Sequence, residues 1–544
     1  MSTRALTVCL LALALAGPGC GVDPATTDPA EAATGRDEQA FTSAEAVLLD
    51  FDFDGEVYST TSTNAKTQVG SQLMYTVGHL NAEPGVSQLP KLTLTNVSTS
   101  SSGGLVRIRY HAKLPVAWGR PGDRPTSYNF RLPRRVDATG RRTFLARYSQ
   151  VCNEAGDHQV TESNFWFHYR PHTPGCSLAL GDVVSLTASV TVSALNTTGK
   201  YPEYHKVWED GSLDVVALFA KYEAGATTAA DVGIDAFNQF VAAVRAAYPG
   251  AATTPANVPA IPGIAYPDIT FKVTRANGTR ATIVAILIDS VTAAGSAFDK
   301  RYSELTPRAD LILYNGHAGL GANIRSLMQK GKFFPGKYQV LFLNGCDTFA
   351  YVDDTLATTR AALNADDPTG TKYMEIVTNA MPAYFSSLSD ASMALIGAFD
   401  DPSNPATYQE MFEGVDGVQV VVVTGEEDNR FTPSYDPGVT WNGIEGAGEV
   451  GYAQTQSYQT ETLPPGTYVL TLTHDQASRG GDADLRYRLN SATATATKCP
   501  SYSKNSNERC LIRLTAAAKL YLSVTGDTSS QRSRYLLDGF ELPH

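Results

Sequence analysis

The sequence predicts a multidomain α/β plus β protein, with a central, mostly parallel α/β sheet flanked by an amino-terminal β-sandwich and a carboxyl-terminal β-sandwich. Three observations lead there. At 544 residues the chain has room for about three or four domains of ordinary size. Its middle part carries apolar strands without alternation, separated by segments of helical spacing, as in a parallel sheet covered on both faces. The flanking parts alternate apolar and polar residues between Gly, Pro, Asn and Ser clusters, as antiparallel sheets do. With 26 Tyr, 21 Phe and 18% charged residues the composition is that of a folded protein. A net charge of −12 has the wrong sign for phosphate backbones or anionic membrane surfaces, which argues against nucleic acid as a partner.

Residues 1–20 place Arg4 before an apolar run, Ala5 to Ala16, and end on Gly17-Pro18-Gly19-Cys20. That order is a secretory signal, and the run is too short to cross a bilayer as a mature helix. Cys20 after a small residue resembles the bacterial lipoprotein cleavage box, which implies lipidation at Cys20; ordinary signal-peptidase cleavage nearby is the alternative. The chain is therefore expected to be exported, as an outer-membrane or cell-surface lipoprotein or as a secreted protein, touching membrane only through an N-terminal lipid anchor. Residues 21–44 have no periodicity and read as a flexible linker.

Residues 45–210 read as a β-sandwich from the runs Val47 to Val57, Lys91 to Val97, Leu105 to His111 and Val183 to Val192. Residues 211–430 form the α/β domain. Its strands are Val215 to Tyr222, Ala281 to Ile288, Asp310 to Tyr314, Tyr338 to Leu343 and Val418 to Thr424, with helical spacing over Ala229 to Ala247 and Met374 to Ala398. Residues 431–449 are a linker, and 450–544 a second sandwich with strands near Val469 to Thr473, Cys510 to Leu514 and Lys519 to Val524.

Of the seven cysteines, Cys9 leaves with the signal and Cys20 is removed or lipidated, which leaves five in an oxidising compartment. The economical pairing is Cys152 with Cys176 and Cys499 with Cys510, so Cys346 is the odd thiol and needs a reason: a bridge to another chain, burial, or reactivity.

Its neighbourhood points to reactivity. The strand Leu311 to Tyr314 runs into Asn315-Gly316-His317-Ala318-Gly319, and the strand Val340 to Leu343 into Asn344-Gly345-Cys346-Asp347-Thr348. In a parallel sheet both turns lie at the carboxyl edge, where open α/β folds place their sites. A thiol needs a close imidazole as base, so Cys346 is the expected nucleophile and His317 the base and acid. Gly316, Gly319 and Gly345 allow backbone N–H groups close to an oxyanion, the expected donors being those of Ala318, Gly319 and Cys346.

At these residues the chain resembles the caspase, gingipain and clostripain superfamily of cysteine peptidases, clan CD. There a hydrophobic strand ends in His-Gly and the next ends in a small residue plus Cys. The block Asn344 to Thr348 looks like the Ser-Ala-Cys-x-Thr block of the CHAT branch. The usual His-Gly is here His317-Ala318, with glycines at 316 and 319. The resemblance implies a caspase-like domain over about 211–430 and a cysteine endopeptidase acting on a peptide or protein substrate without a cofactor. Separately, Leu463-Pro464-Pro465-Gly466-Thr467-Tyr468 and Gly481-Asp482-Ala483-Asp484-Leu485 resemble the bacterial pre-peptidase C-terminal (PPC) domain, which accompanies secreted peptidases.

Asp347, Asp353 and Asp354 follow the expected nucleophile and are candidates for a substrate pocket selecting Arg or Lys, as in the clostripain-like members; the plain alternative is turn and helix-start acids. Glu426-Glu427-Asp428-Asn429, just beyond the last strand, is placed at the same edge of the sheet. Two calcium motifs compete with plainer readings. Asp50 to Gly55 opens like an EF-hand loop, but Thr61 stands where the bidentate Glu belongs, and the alternation fits a strand. Asp482 and Asp484 fit a Gly-Asp turn as well as an ion site. His158, His168 and His172 near the first disulfide read as packing residues before metal ligands. No zinc, Walker or Gly-x-Ser-x-Gly spacing is present. The competing function is a catalytically inactive cell-envelope binding lipoprotein whose sandwiches hold protein or a cell-surface glycan.

Overall fold

The computed structural model describes residues 39–154, 159–275, 278–415, 419–436, 438–474, 481–501, 506–527 and 532–542. The signal segment with Cys9 and Cys20, and also His158, lie outside them.

The chain enters through β1 (Phe41–Ser43), which joins the central sheet, and then builds the amino-terminal domain. That domain contains β2 (Val47–Ser59), α1 (Ala65–Leu73), α2 (Tyr75–Asn81), β3 (Gly85–Ser87), β4 (Thr93–Ser102), β5 (Leu105–Trp118), β6 (Ser127–Pro133), α3 (Ala138–Tyr148), α4 (Phe165–His168) and β7 (Val183–Val192). The strands make one antiparallel sheet in the order β3-β5-β2-β7-β6, with β4 also on β5. Alternation sets its faces: Phe51 and Phe53 of β2 are buried while Asp52 and Asp54 are exposed. The buried face is covered by helices, with Val69, Leu73, Leu80, Phe144 and Phe165 in one core with Phe51 and Phe130. A helical layer therefore occupies the place of a second sheet, and Cys152–Cys176 forms within it. Asp50 to Gly55 lie inside β2, where Asp52 and Asp54 flank His111 of β5 at 3.4 and 3.0 Å and Asp50 faces Lys113 at 3.4 Å. His168 Nδ1 lies 3.3 Å from Glu154 O, and His172 packs edge-on against His79.

After α5 (Tyr204–Val207) come β8 (Ser212–Ala220), α6 (Val232–Ala247), β9 (Ala252–Thr254), β10 (Asp268–Thr274) and β11 (Arg280–Ile288). They are followed by α7 (Ser296–Leu305), β12 (Leu311–Asn315), α8 (Ala322–Lys330), β13 (Gln339–Asn344), α9 (Thr355–Leu363), β14 (Met374–Asn379), α10 (Leu388–Phe399), α11 (Tyr408–Glu413) and β15 (Val421–Thr424). The nine-stranded sheet runs β1-β15-β14-β13-β12-β8-β11-β10-β9, and its core β14-β13-β12-β8-β11 is parallel. Because β8 is buried throughout, it shows no alternation in sequence, yet Val216 and Leu218 face one core and Val215, Ala217 and Phe219 the other. One core is covered by α6, α10 and α11; the other receives α7, α8 and α9 and is continuous with the amino-terminal domain.

Two expectations are corrected. Met374–Asn379, read as part of a helix, is the buried strand β14, and the helix begins only at Leu388. Six residues, three of them apolar, are too short a run for periodicity to separate a buried strand from a helical turn. The last strand, β15, runs antiparallel to β14, with Ile376 opposite Thr424 and Asn379 opposite Val421. Glu426 to Asn429 therefore leave the sheet at the edge away from Cys346. There Glu426 is fully buried and accepts from the hydroxyls of Thr42 at 2.7 Å and Thr197 at 2.8 Å.

The carboxyl-terminal domain has β16 (Ile444–Val450), β17 (Thr455–Leu463), β18 (Gly466–His474), β19 (Ala483–Leu489), β20 (Thr497–Lys498), β21 (Glu508–Leu514), β22 (Ala518–Gly526) and β23 (Ser533–Glu541). Two antiparallel sheets, β16-β23-β18-β21 and β17-β22-β19-β20, pack together, and Cys499–Cys510 ties the end of β20 to β21 across them. Within this sandwich Asp484 pairs with Lys498 at 2.6 Å and Arg486 at 2.8 Å. Arg308, just before β12, reaches Asp214 at 3.3 Å and Asp538 of β23 at 3.0 Å, which fastens the sandwich beneath the amino ends of the parallel strands. The two disulfides belong to an oxidising compartment, and among the described residues no helix is long and apolar enough to cross a membrane.

Burial pushes several carboxyls upward: Glu426 to about 7, Glu508 to about 8, Asp347 to about 7 and Asp538 to about 6. Between the unfolded carboxylate range near pH 4 and pH 8 the native state thus holds more protons than the unfolded one, so stability falls as pH rises through this window. Thermal unfolding should show an apparent Tm about 5 °C or more higher at pH 5 than at pH 8.5. Equal values, or a rise with pH, would refute this account of the buried acids.

Candidate functional site

The order in which the chain lays down the parallel strands creates the site. From β8 it moves to β11 on one side, then crosses back to β12 on the other, so strand order reverses between β8 and β12. A crevice opens at the carboxyl ends of such a pair. Tyr222 follows β8 and His317 follows β12 at this crevice, and Cys346 follows β13 beside it. The register aligns Asn315 with Asn344, so His317 and Cys346 each stand two residues beyond one pair of facing residues. The expected dyad is brought to neighbouring strand ends.

Buried amides hold these ends. Asn344 Nδ2 donates to Asn315 Oδ1 at 2.9 Å, and Ser392 Oγ to the same oxygen at 2.9 Å. One strand further on, Gly345 N donates to Asn379 Oδ1 at 3.2 Å, and Asn379 Nδ2 to Gln419 Oε1 at 3.0 Å. Thr348 Oγ1 donates to Leu343 O at 2.6 Å and accepts from Asn379 N at 2.9 Å, closing the turn that carries Cys346. These side chains are at most 2% exposed, so each unmade bond would carry a full desolvation penalty.

The His317 turn is clamped at its carbonyl, which accepts from Tyr314 Oη at 2.6 Å and Asn323 Nδ2 at 2.9 Å. Its ring sits in an aromatic triangle, 4.9 Å from Tyr222 and 5.0 Å from Phe385, which are 5.4 Å from each other. The two turns touch where glycines allow it. A Cβ on Gly345 would fall 2.4 Å from Gly316 O and 3.4 Å from Ala318 N, and a Cβ on Gly316 2.6 Å from that of Ala220. Gly319, at φ +60°, and Leu320, at φ 51°, then turn the chain into α8. Of the expected backbone donors, Ala318 N thus borders the Cys346 turn.

Cys346 is the free thiol among the described residues and is half-buried. Its Sγ lies 3.4 Å from Ala383 O, the acceptor it faces. Burial, together with the neighbouring Asp347 carboxylate, pushes the thiol up to about 12, so it rests protonated. Asp347, in the left-handed region at φ 52°, is 1% exposed; burial pushes it up to about 7 against the pull of Arg170 and the hydrogen bond from Asn81 Nδ2 at 2.7 Å. Asp354 pairs with Lys91 at 2.7 Å, and Asp353 Oδ1 accepts from Thr355 N at 2.9 Å at the start of α9. Asp347 and Asp354 are thus taken up by the amino-terminal domain and Asp353 by its own helix. Tyr222, Phe385, Asn81 and Arg170 were not singled out in the sequence, because only the fold brings distant segments to this edge. The asparagine ending each of three buried strands was a readable signal.

No protein-family model matches the chain, and no curated protein sequence matches it. Among solved structures it is similar to the periplasmic inhibitor PliG of g-type lysozyme from Aeromonas hydrophila, at 12% identity and TM-score 0.14, over 20% of this chain and 91% of that one. The lipase BlEst2 of Bacillus licheniformis in its propeptide form matches at 9% identity and TM-score 0.15, over 49% of this chain and 68% of that one. Dimeric latent PorU of Porphyromonas gingivalis matches at 8% identity and TM-score 0.11, over 23% of this chain and 16% of that one. Likenesses of this degree assign neither a family nor an activity, and the functional reading rests on the site itself.

Proposed function

We propose that the α/β domain is a cysteine endopeptidase acting on peptide or protein substrates outside the cytoplasm. One observation carries the reading: the free thiol Cys346 and the clamped His317 occupy adjacent parallel strand ends beside the switch point, two residues past a common register pair. The motif resemblance to the clan CD peptidases supports it independently.

The resting thiol is neutral, so the mechanism begins with general-base catalysis and no preformed thiolate is required. His317 takes the Sγ proton as sulfur adds to the scissile carbonyl carbon, and the oxyanion is received by N–H groups of the Ala318–Gly319 turn and of Cys346. The imidazolium returns the proton to the leaving amine as the C–N bond breaks, leaving a thioester. Water then attacks this ester, giving its proton to His317, and the acid product leaves as the thiol is restored. The exported chain would be tethered through Cys20 or released, with the outer domains available for substrate or surface attachment.

A second reading, a catalytically silent envelope-binding scaffold, draws on the same thiol: burial and a carboxylate neighbour are what an inert buried cysteine would also show.

Cleavage separates them, and alkylation tests the raised thiol that both readings share. With mixed peptide substrates read by mass spectrometry, wild type should cut, and Cys346→Ala and His317→Ala should each lose about a thousandfold or more in rate. Absence of cleavage by wild type would favour the scaffold. Alkylation of Cys346 by iodoacetamide should rise with pH beyond 10 without a plateau near neutrality. Because Asp347 is charged at pH 8, Asp347→Asn should speed alkylation there about tenfold by removing one negative charge beside the sulfur. A rate plateau below pH 8, or no response to Asp347→Asn, would contradict the raised thiol.

A further inference from the structure

We propose that the cleft beside His317 selects an aromatic side chain flanking the scissile bond, through a wall formed by Tyr222, Tyr384 and Phe385; this rests on the peptidase reading.

The wall comes from two loops at the crevice, one after β8 and one after β14. In the second loop, Ala383 O contacts the Cys346 sulfur and the Phe385 ring packs on His317. Tyr384 lies between these two contacts and is 58% exposed, although it is a large ring beside the reactive pair. Tyr222 packs on both His317 and Phe385 and is itself 36% exposed. Rings left partly open at a site edge offer edge-to-face and offset contacts to another ring, beyond simple burial of area. The acids that follow the thiol, which would favour a basic side chain, are engaged. Asp347 is held by Asn81, Asp354 by Lys91 and Asp353 by the start of α9, while Asp289, after β11, pairs with Lys221 at 2.8 Å. Asp354 and Asp289 are ion-paired, Asp353 caps its helix and Asp347 is buried, so the large side chains that the two loops leave open beside His317 are the rings of Tyr222 and Tyr384, with Glu223 the exposed acid next to them.

The thiol can report on this wall without turnover. The mature chain is alkylated at pH 9 with iodoacetamide, N-benzyl iodoacetamide and N-(2-trimethylammonioethyl) iodoacetamide. Modification of Cys346 is followed by peptide mass, and each rate is divided by that of the same reagent with glutathione. The benzyl reagent should outrun iodoacetamide about fivefold or more, and the cationic one should show no advantage. Tyr384→Ala and Tyr222→Ala should bring the benzyl ratio toward one, whereas Tyr452→Ala, on the distant carboxyl-terminal domain, should keep it. No benzyl advantage in wild type, an advantage that survives Tyr384→Ala, or a faster cationic reagent would each overturn the proposal. In the cleavage map, an aromatic residue should be enriched at one position next to the cut bond; enrichment of Arg or Lys there instead would overturn the selection while leaving the peptidase standing. If the benzyl preference is found but no peptide is cut, the peptidase reading fails and the claim of substrate selection falls with it.

Discussion

Three asparagines at consecutive strand ends are the constraint on which the site depends. Asn315, Asn344 and Asn379 close β12, β13 and β14 with side chains that water does not reach. Such buried amides look to protein for partners, and apart from Asn344 Oδ1, which has none, theirs are one another, the Gly345 amide, Ser392, Gln419 and the carbonyls of Leu218 and Leu388. Satisfying them sets the positions of the strand ends relative to each other, and with them the turns that carry His317 and Cys346. A shift of either strand by one residue would reverse its faces and break this set together. The apolar interior thus supplies stability, while the amides specify where the two turns stand.

The amino-terminal domain belongs to this arrangement. Its Asn81 and Arg170 meet Asp347, Lys91 meets Asp354, and Trp166 packs on Tyr351 at 6.5 Å. Phe41 of β1 packs edge-on against Phe349 at 5.8 Å, and β1 itself pairs with β15. One core runs from Phe51 and Phe130 into Leu343 and Phe349 without a break. Removing residues of this domain by proteolysis would expose that shared core and leave Asp347 without its amide partner. The physical picture is of a second wall of the candidate site, built into the fold, more than of a detachable segment.

What could be read in the sequence follows the range of the interactions involved. The buried strands β8, β11, β12 and β13, the two disulfides and the odd thiol are local or arithmetic signals, and each appears in the structure. β14 was hidden because a six-residue run with three apolar and three polar residues carries no resolvable period, and the helices α1 to α4 because their spacing lies among alternating strands. The direction of β15 depends on a connection that propensity does not encode, which is why Glu426 lies at the far edge of the sheet. Asp347 illustrates the same limit at the site. Next to a nucleophile it reads as a pocket acid, but its environment is set by Asn81 and Arg170, 266 and 177 residues earlier in the chain.

The state of the thiol bears on how such a site would work. A cysteine pushed to about 12 is almost entirely protonated at neutral pH, so its reactivity depends on an event that relieves burial or charge. Asp347 supplies a built-in source of relief, since its carboxyl, raised to about 7, loses its charge as pH falls through neutrality. Protonation there removes a repulsion on the developing thiolate just as the rising proton activity suppresses it, so the two effects oppose each other. Below pH 7 the thiol's apparent reactivity should decline less steeply with acidity than one titrating proton requires, because the carboxyl beside it takes up part of the cost. As pH rises beyond 7 Asp347 becomes progressively charged, and on the peptidase reading His317 would then have to accept the thiol proton in the same step as carbon–sulfur bond formation.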